Sequence, residues 1–360
     1  MGINNKITSR GLALLTVVLC PQAWATTPAE MAAMSLQDLL NMQTGTDFSS
    51  GNGDNSAETE RWRFGLLYSQ SRFEGYQNGT DKLNDEEVLF RQGTEARTQE
   101  NYPILPTIIR QEAFTVTASY RFEDGASVDL NIPLISQTTH HDSVVPGYAH
   151  FTIDSRGLGD ISVNYSRYLS RDAYSKLRFG FGLSAPTGSI DQKGDTPRAA
   201  GDQQLPYTMQ LGSGTWDLPI SINYTRALKS SWTVGGSALA KIRLGRNDRD
   251  YRLGNRLQLA SWIQSTHYDW VEPFAKISAV YWEDINGRDD EIIVQPAAPF
   301  VYPASITNPD NFGGKKIRLS IGVEFAAAFR LELGVPLYQD LNGVQVRETV
   351  NLSASWQKSI

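Results

Sequence analysis

The residues of this chain that could carry out chemistry are few, and the first group is a set of histidines. Three of the four histidines, His140, His141 and His150, lie close together. Ser143 follows His141 by two residues, so the imidazole could activate the hydroxyl for hydrolysis if the two came within hydrogen-bond reach. The following Val-Val-Pro-Gly is typical of a loop, and no Asn or Asp is evident to orient the histidine. We therefore expect no catalytic residue, only a solvated loop or an adventitious metal contact.

A second group consists of two short runs of carboxylates. Asp85-Glu86-Glu87 and Asp289-Asp290-Glu291 offer the hard oxygen ligands that Ca²⁺ prefers. Neither run has the spacing of ligands and glycine found in an EF-hand loop, so solvated surface charge is the preferred interpretation. Cys20 is the only cysteine. We expect no metal site and no cofactor.

The elements that position these residues are predicted from a repeated alternation of apolar and polar side chains. Phe114, Val116 and Ala118 alternate with Thr115 and Thr117, which is typical of a strand with one apolar face. Helical spacing is rare after residue 60. The pattern predicts strands at 61–73, 111–123, 126–137, 157–170, 174–186, 214–226, 231–246, 253–267, 271–283, 315–327, 329–338 and 344–356.

The predicted connections alternate between short turns and long loops, as in outer-membrane barrels. The long loops are at 74–110, 138–156, 187–213 and 284–314, and aromatic residues such as Trp62, Trp270 and Trp356 lie beside the short turns. These features predict an all-β, transmembrane, antiparallel up-and-down barrel of about twelve strands, with both termini in the periplasm. A soluble β-sandwich or periplasmic barrel is the alternative, but it gives no reason for long and short loops to alternate.

The segment before the barrel is predicted to have two parts. Lys6, Arg10, the apolar run that follows and Ala23-Trp24-Ala25 predict a secretory signal peptide at 1–25. Residues 34–43 predict a short helix, with Ser35 and Asp38 as its capping box, followed by a polar linker. We expect residues 26–60 to lie in the periplasm, either against the barrel mouth or as a lumen plug, and residues 61–360 to form the barrel.

The inner face of the predicted barrel carries charge. On the assigned phase, the candidate lumen-lining residues are Arg121, Asp129, Asp160, Arg178, Lys241, Arg243, Arg256, Arg318, Glu324, Arg330, Glu332 and Arg347. The excess is basic, which suggests a pore that prefers anions. Alternatively these charges pair with one another and fill the interior. Few apolar side chains are predicted to point inward.

Several fragments of the second half resemble a known family. They are Gly157 to Val163, Gly182 to Ile190, Leu205 to Leu218, Tyr251 to Gly254 and Pro336 to Gly343. Together and in order they resemble the outer-membrane proteins of the MetA-pathway-of-phenol-degradation family, over roughly residues 157–356. The resemblance implies an outer-membrane barrel, often labelled a transporter, that is sometimes encoded with pathways for aromatic compounds. It implies no catalytic residue. Unlike many barrels, the chain ends on Ile360 rather than on an aromatic residue.

Two functions remain open from the sequence. One is a passive outer-membrane channel or transporter for small solutes, and the other is an occluded barrel with a structural or surface-interaction role. The expected partners are outer-membrane lipid and lipopolysaccharide, the barrel-assembly machinery and a small solute. A net charge of −6 argues against a nucleic-acid partner.

Overall fold

The computed structural model describes residues 61–93, 96–228, 231–326 and 328–360. The predicted signal peptide at 1–25, the helix at 34–43 and the rest of segment 26–60 lie outside the described residues. Among the described residues, no helix is long and apolar enough to cross a membrane.

The described chain is almost entirely β-structure. Its strands are β1 (Trp62–Gly79), β2 (Asp81–Leu83), β3 (Ile104–Arg121), β4 (Ser127–Ser143), β5 (His150–Leu158), β6 (Ile161–Arg171), β7 (Ser175–Ala185), β8 (Lys193–Asp195), β9 (Asp202–Gln204), β10 (Trp216–Leu228), β11 (Trp232–Leu244), β12 (Tyr251–Arg252), β13 (Arg256–Ser265), β14 (Val271–Trp282), β15 (Asn286–Gly287), β16 (Gly314–Phe325) and β17 (Phe329–Ser359). A single helical turn, α1 (Asp85–Val88), and 3₁₀ turns at Tyr207–Met209, Ser305–Thr307 and Pro309–Asn311 lie in the connections.

Eleven of these strands form a closed antiparallel barrel. Their order around the ring is β1, β3, β4, β6, β7, β10, β11, β13, β14, β16 and β17, and β17 pairs with β1 to close it. At this seam Leu66 lies opposite Trp356. Closure leaves the ring without an unpaired edge. The expected antiparallel barrel is therefore confirmed.

The predicted count of twelve strands is not confirmed, because the last two predicted strands fall within one element. The first part of β17 pairs with β16, from Phe329 to Leu341, and its second part pairs with β1 up to Ser359. Gly343, at a φ of 65°, lies between the two parts. Because every pairing in the ring is antiparallel, these two parts must run in opposite directions on either side of Gly343, although the residues between them stay extended.

Short turns join the strands at one end of the barrel. In the turn between β3 and β4, the backbone N–H of Phe122 donates to Ala126 O at 2.9 Å, and Gly125 adopts a φ of 81°. Asp124 Oδ1 accepts from the backbone N–H of Ala126 at 3.0 Å. The positive φ at position 125 favours glycine, whose missing Cβ permits that conformation.

At the other end the strands extend into the predicted long loops. The predicted loop 138–156 was wrong in part, because β4 continues to Ser143 and β5 begins at His150. β5 pairs with β4 from Leu134 to Asp142, near the long-loop end, and β6 pairs with β4 from Ser127 to Asn131, near the short turn. Antiparallel pairing thus satisfies backbone groups that the sequence assigned to a loop.

Candidate functional site

The two faces of the barrel wall differ sharply in polarity. On β3, Phe114 and Val116 are each 39% exposed on the outer surface, whereas Thr115 and Thr117 are buried in the interior. β13 repeats the pattern, with Leu257 and Leu259 outside. An apolar outer face around a polar interior is the reverse of a soluble protein and is the arrangement of a transmembrane barrel.

One wall of the interior carries mainly neutral polar side chains, with Asp129 on β4 as a buried charge. Its buried polar residues on β1, β3, β4 and β6 include Ser69, Ser71, Gln111, Thr115, Thr117, Ser119, Asn131, Ser162, Asn164 and Ser166. Thr115 Oγ1 and Asn164 Nδ2 have no hydrogen-bond partner among the described residues. Buried polar atoms of this kind are usually satisfied by water, so this wall is suited to a hydrated interior.

The other wall carries a series of ion pairs, which we call the ion-pair column. Its members on β14, β16 and β17 are Lys276, Lys316, Arg318, Glu324, Arg330, Glu332 and Glu348. Lys276 Nζ lies 2.5 Å from Glu332 Oε1, and Arg330 lies 3.4 Å from both Glu324 and Glu332. Nearer the long-loop end, Glu348 pairs with Lys316 and, at 2.6 Å, with Arg318. Each charge in the column therefore has a partner of opposite sign.

The remaining interior cations also have partners. Arg243 pairs with Asp217, and Arg256 donates to Gln258 Oε1 at 3.1 Å. Arg178 donates to Ser166 Oγ at 2.9 Å, and its guanidinium carbon lies 5.0 Å from the centre of the Tyr168 ring. These contacts hold the guanidinium groups against the wall.

Most of the predicted lumen residues are buried in the structure. Those buried are Asp129, Asp160, Arg178, Lys241, Arg243, Arg256, Arg318, Glu324, Arg330 and Glu332. Arg121 and Arg347 are half-buried, and Arg347 lies beside Gly75. Whether these residues line a path for a solute remains a prediction.

Four charged interior residues were missed: Asp217, Lys276, Lys316 and Glu348. Lys276 could have been found from the sequence, because it alternates with the apolar Ala275 and Ile277. Glu348 follows register shifts in the β1–β17 pairing, and such irregularities break the period of two. No signal in the sequence marks it.

Asp160 has a different role from the other predicted lumen residues. It lies between β5 and β6, and its carboxylate accepts from the backbone N–H of Gly188 at 2.9 Å and that of Ser213 at 2.8 Å. Ser213 Oγ donates a third hydrogen bond at 2.8 Å. The carboxylate thereby ties both ends of the long connection between β7 and β10 to the wall.

This connection folds into the barrel. We call residues 205–213 the inner strap, and all its residues from Leu205 to Leu211 are buried. Gln137 Nε2 donates to Gln210 O at 3.0 Å, Ser155 Oγ donates to Met209 O at 2.6 Å, and Gln111 Nε2 donates to Thr208 O at 3.4 Å. The sequence predicted a long extracellular loop here and did not reveal that it folds inward.

A second connection, between β14 and β16, also packs into the long-loop end of the barrel. Its Ala304 and Ile306 belong to an apolar cluster with inward side chains of the strands. We call this the outer apolar cluster, where "outer" refers to the long-loop end of the barrel and not to the exposed face of its wall. Its buried members are Phe73, Tyr76, Val88, Tyr102, Ile104, Leu105, Ile109, Val280, Trp282, Ala304, Ile306, Leu341, Val344 and Val346. The expectation of few apolar inward positions was therefore wrong at this end. Strand ends beyond the predicted boundaries, such as Ile104 and Ile109, supply some of them, and residues within the predicted strands, such as Trp282, supply others.

The loops at this end are fastened to one another. Arg97 lies over the rings of Phe90, Tyr102 and Phe300, at 5.8, 5.2 and 5.4 Å from their centres, and donates to Tyr302 O at 2.8 Å. Burial lowers the pKa of Arg97. These contacts join the connection after β1 to the connection after β14.

The predicted chemical groups are not assembled for catalysis. His141 is buried on β4 and stacks on Phe151, with ring centres 4.5 Å apart. Ser143 Oγ accepts from the backbone N–H of Val145. Nothing in the structure joins His141 to Ser143.

The carboxylate runs also have structural partners. Asp85, Glu86 and Glu87 form the first turn of α1. Asp289 lies 3.3 Å from Arg249, and Asp290 lies 2.7 Å from Arg288. Among the described residues, no group of three or more His, Cys, Asp or Glu side chains is arranged to hold a metal ion.

Comparison with solved structures shows the fold. The chain is similar to the crystal structure of the COG4313 outer membrane channel from Pseudomonas putida F1, with a TM-score of 0.52 and 12% identity, covering 86% of this chain and 100% of that one. At this identity the likeness establishes the fold alone, which is that of an outer-membrane β-barrel, and neither a role nor a solute. No protein-family model matches the chain, and no curated protein matches it in sequence.

Two further similarities are weaker. The TodX monoaromatic hydrocarbon channel aligns with a TM-score of 0.44 and 10% identity, covering 84% of this chain and 91% of that one. The translocator domain of the autotransporter NalP from Neisseria meningitidis aligns with a TM-score of 0.41 and 11% identity, covering 91% and 96%. Scores this low carry no argument about function.

Proposed function

We propose that this protein is a passive outer-membrane channel for small solutes. The observation that carries the proposal is the inverted polarity of the closed barrel, with an apolar outer belt around a polar, charged interior. Such a wall is stable only where its outer face meets lipid. A polar interior in turn provides a hydrated route between the two sides of the membrane.

The orientation follows from the two ends of the barrel. Exposed aromatic side chains, including Trp62, Tyr174, Trp270 and Trp356, lie at the short-turn end, as in the aromatic girdle at a membrane interface. We assign this end to the periplasm together with Arg61 and Ile360, and the long connections to the cell exterior. Both parts of β17 then cross the membrane, which gives twelve crossings.

The solute class is suggested by the outer apolar cluster. Apolar side chains such as Phe73, Ile109 and Trp282 lie buried beneath the connections at the long-loop end, so a solute from outside would pass them, once these connections part, before it reaches the polar interior. An apolar entrance of this kind favours small apolar or aromatic molecules. The resemblance to the MetA-pathway-of-phenol-degradation family supports the same class.

A preference for anions is a second candidate, because the buried charges of the barrel strands comprise eight cations and five anions. Cationic walls favour anions in pores. Most of these cations are paired, however, so the preference depends on the excess charge rather than on any single residue.

The occluded barrel is the competing function. It is favoured by one observation, which is that the charges of the ion-pair column are buried and matched. Side chains alone can fill a barrel of this size.

Single-channel conductance in a planar bilayer distinguishes the two functions. The protein would be measured with and without residues 26–60. Conductance steps in the intact protein support an open channel, and steps only after truncation indicate that this segment closes it. The absence of conductance steps in both forms would contradict the channel and favour the occluded barrel.

Uptake into liposomes of a small phenol, a small sugar and a small carboxylate then tests the solute class. Faster entry of the phenol supports the apolar entrance, and faster entry of the carboxylate supports the anion preference.

A further inference from the structure

The inner strap reaches the middle of the barrel. Leu211 packs against Leu67, Ala113 and Ile135, and the last two lie halfway along β3 and β4. A loop that merely covered the mouth would not contact wall residues at this depth. The strap therefore narrows the interior at the level of Ala113 and Ile135.

The strap faces the charged wall across the ring. Its wall contacts come from β3, β4 and β5, through Gln111, Gln137 and Ser155. In the ring order, β4 and β14 lie on opposite sides, and β14 carries Lys276 of the ion-pair column. A solute crossing the barrel would thus pass between the strap and the ion-pair column.

The base of the strap is held firmly. Both oxygens of the Asp160 carboxylate are engaged, by Gly188 and Ser213. Beside this carboxylate the two chain segments touch, so that a Cβ added to Gly188 would lie 2.6 Å from Gly212 Cα. Only glycine permits so close an approach of two backbones.

The fragments of the sequence at 157–163, 182–190 and 205–218 therefore converge at one place, the base of the strap. Their glycines and Asp160 build the anchor, whereas Gln111 and Gln137 hold the tip. Both sets of contacts include hydrogen bonds to the backbone of the connection, which fix its path.

We propose that the inner strap is the constriction of the channel and determines the size of the solutes that pass, with Asp160 as the positioning residue that holds it. This inference rests on the proposed channel function. The strap sets the width, because Leu211 packs on the wall of the barrel and Tyr207 reaches the connection between β14 and β16, where its ring centre lies 5.4 Å from that of Phe312.

The test loosens the strap at either end. Gln111→Ala/Gln137→Ala removes two neutral hydrogen bonds at the tip, and Asp160→Asn weakens the anchor while keeping its size. Each variant should visit a higher-conductance level on the order of tenfold more often than the wild type. Liposomes carrying it should also swell in larger sugars. The matched control is Thr115→Ala/Asn164→Ala, which alters buried interior side chains whose Oγ1 and Nδ2 atoms have no hydrogen-bond partner among the described residues.

A cross-link provides a second, independent arm. Thr139 Oγ1 lies 3.2 Å from Met209 Sδ, and the only cysteine of the chain is Cys20, in the predicted signal peptide. In the Asp160→Asn background, Thr139→Cys/Met209→Cys joined by a short thiol-reactive reagent should restore the wild-type size limit, because the strap is again fixed to the wall.

The outcomes separate this inference from the proposed function. Conductance with a size limit that follows the strap variants supports both. Conductance with an identical size limit in wild type, loosened and cross-linked forms overturns the constriction and leaves the channel standing. The absence of conductance steps in every folded form, including the one lacking residues 26–60, overturns the channel and the constriction together. Heat-dependent migration on gels shows which variants are folded.

Discussion

Arg318 donates from Nη2 to Oε1 of Glu348 at 2.6 Å, and both side chains are buried inside the barrel. The same carboxylate also pairs with Lys316. One anion thus balances two cations that water does not reach freely. The cost of moving these charges from water is met only while all three remain together.

Glu348→Ala should destabilise the barrel by about 3–5 kcal/mol, because it leaves two cations without their anion in the interior. Urea unfolding in lipid vesicles, followed by tryptophan fluorescence, measures the loss. The triple variant Lys316→Met/Arg318→Met/Glu348→Leu removes the charges together and should recover most of the stability. Equal losses in the two variants would contradict this account.

Ile277→Arg should destabilise the protein by about 2–4 kcal/mol, as expected for arginine on the lipid-facing side near the bilayer midplane. Ile277 is 48% exposed and lies in the middle of β14. The control is Tyr268→Arg in the short turn before β14, where the cost should be about 0–1 kcal/mol. The same unfolding assay applies, and equal costs at the two positions would show that Ile277 does not face lipid.

The connection between β14 and β16 should pack more firmly at acidic than at neutral pH. Burial, together with the nearby Asp310 and Glu283, raises the pKa of Asp284 to about 6, against the lowering effect of a hydrogen bond from Asn342. Asp284 Oδ1 has no hydrogen-bond partner among the described residues. The packed connection therefore prefers the protonated carboxyl, and its stability is complete below about pH 4 and falls as the pH rises through about 6.

Hydrogen exchange of the backbone amides of 285–312, corrected for intrinsic rates, measures this change. Protection should be greater at pH 5 than at pH 7. Asp284→Asn should remove the difference, whereas Asp290→Asn, at an exposed ion pair with Arg288, should retain it. A pH dependence unchanged by Asp284→Asn would assign it to another group.

Arg97→Ala should free the connection after β1 from the connection after β14, because the guanidinium contacts three aromatic rings and Tyr302 O. Such partly desolvated contacts contribute about 2 kcal/mol, so proteolysis of the connections on intact cells should accelerate. Arg97→Lys should rescue only in part, since an ammonium does not stack on rings as guanidinium does. Arg91→Ala, at an exposed ion pair with Glu86, is the control.

Lys241→Glu/Arg243→Glu should lower the preference of the channel for anions, because it reverses two of the buried cations. The measurement is the reversal potential in a salt gradient. Asp217 pairs with Arg243, so the control Asp217→Asn should shift the potential in the opposite direction. Unchanged potentials in both variants would remove the proposed anion preference.

The alternation of residue types predicted the ring well because each position on a strand has a fixed side. Phe114 and Val116 face outward, and Thr115 and Thr117 face inward, as their polarity indicates. The period fails where the backbone shifts register, as between Phe73 and Tyr76 on β1. Glu348 lies opposite Phe73, so the phase assigned to Arg347 and its neighbours was not reliable there.

The paths of the long connections could not be predicted in the same way. Leu205, Met209 and Leu211 lie in a segment rich in Pro, Gly and Ser, which is typical of a surface loop. Their burial depends on wall residues far away in the sequence, such as Leu67 and Ile135. No local pattern encodes such contacts.

The seam between β1 and β17 constrains how the chain reaches its membrane. Thr349 Oγ1 bonds to Arg72 O across a separation of 277 residues, so the ring gains its closing contacts only when nearly the whole sequence is present. Until then β1 and β16 each expose a bare hydrogen-bonding edge, which invites pairing with other chains. Long-range pairing of this kind is slow. A newly made copy therefore remains open to such pairing until its carboxyl-terminal strand joins β1.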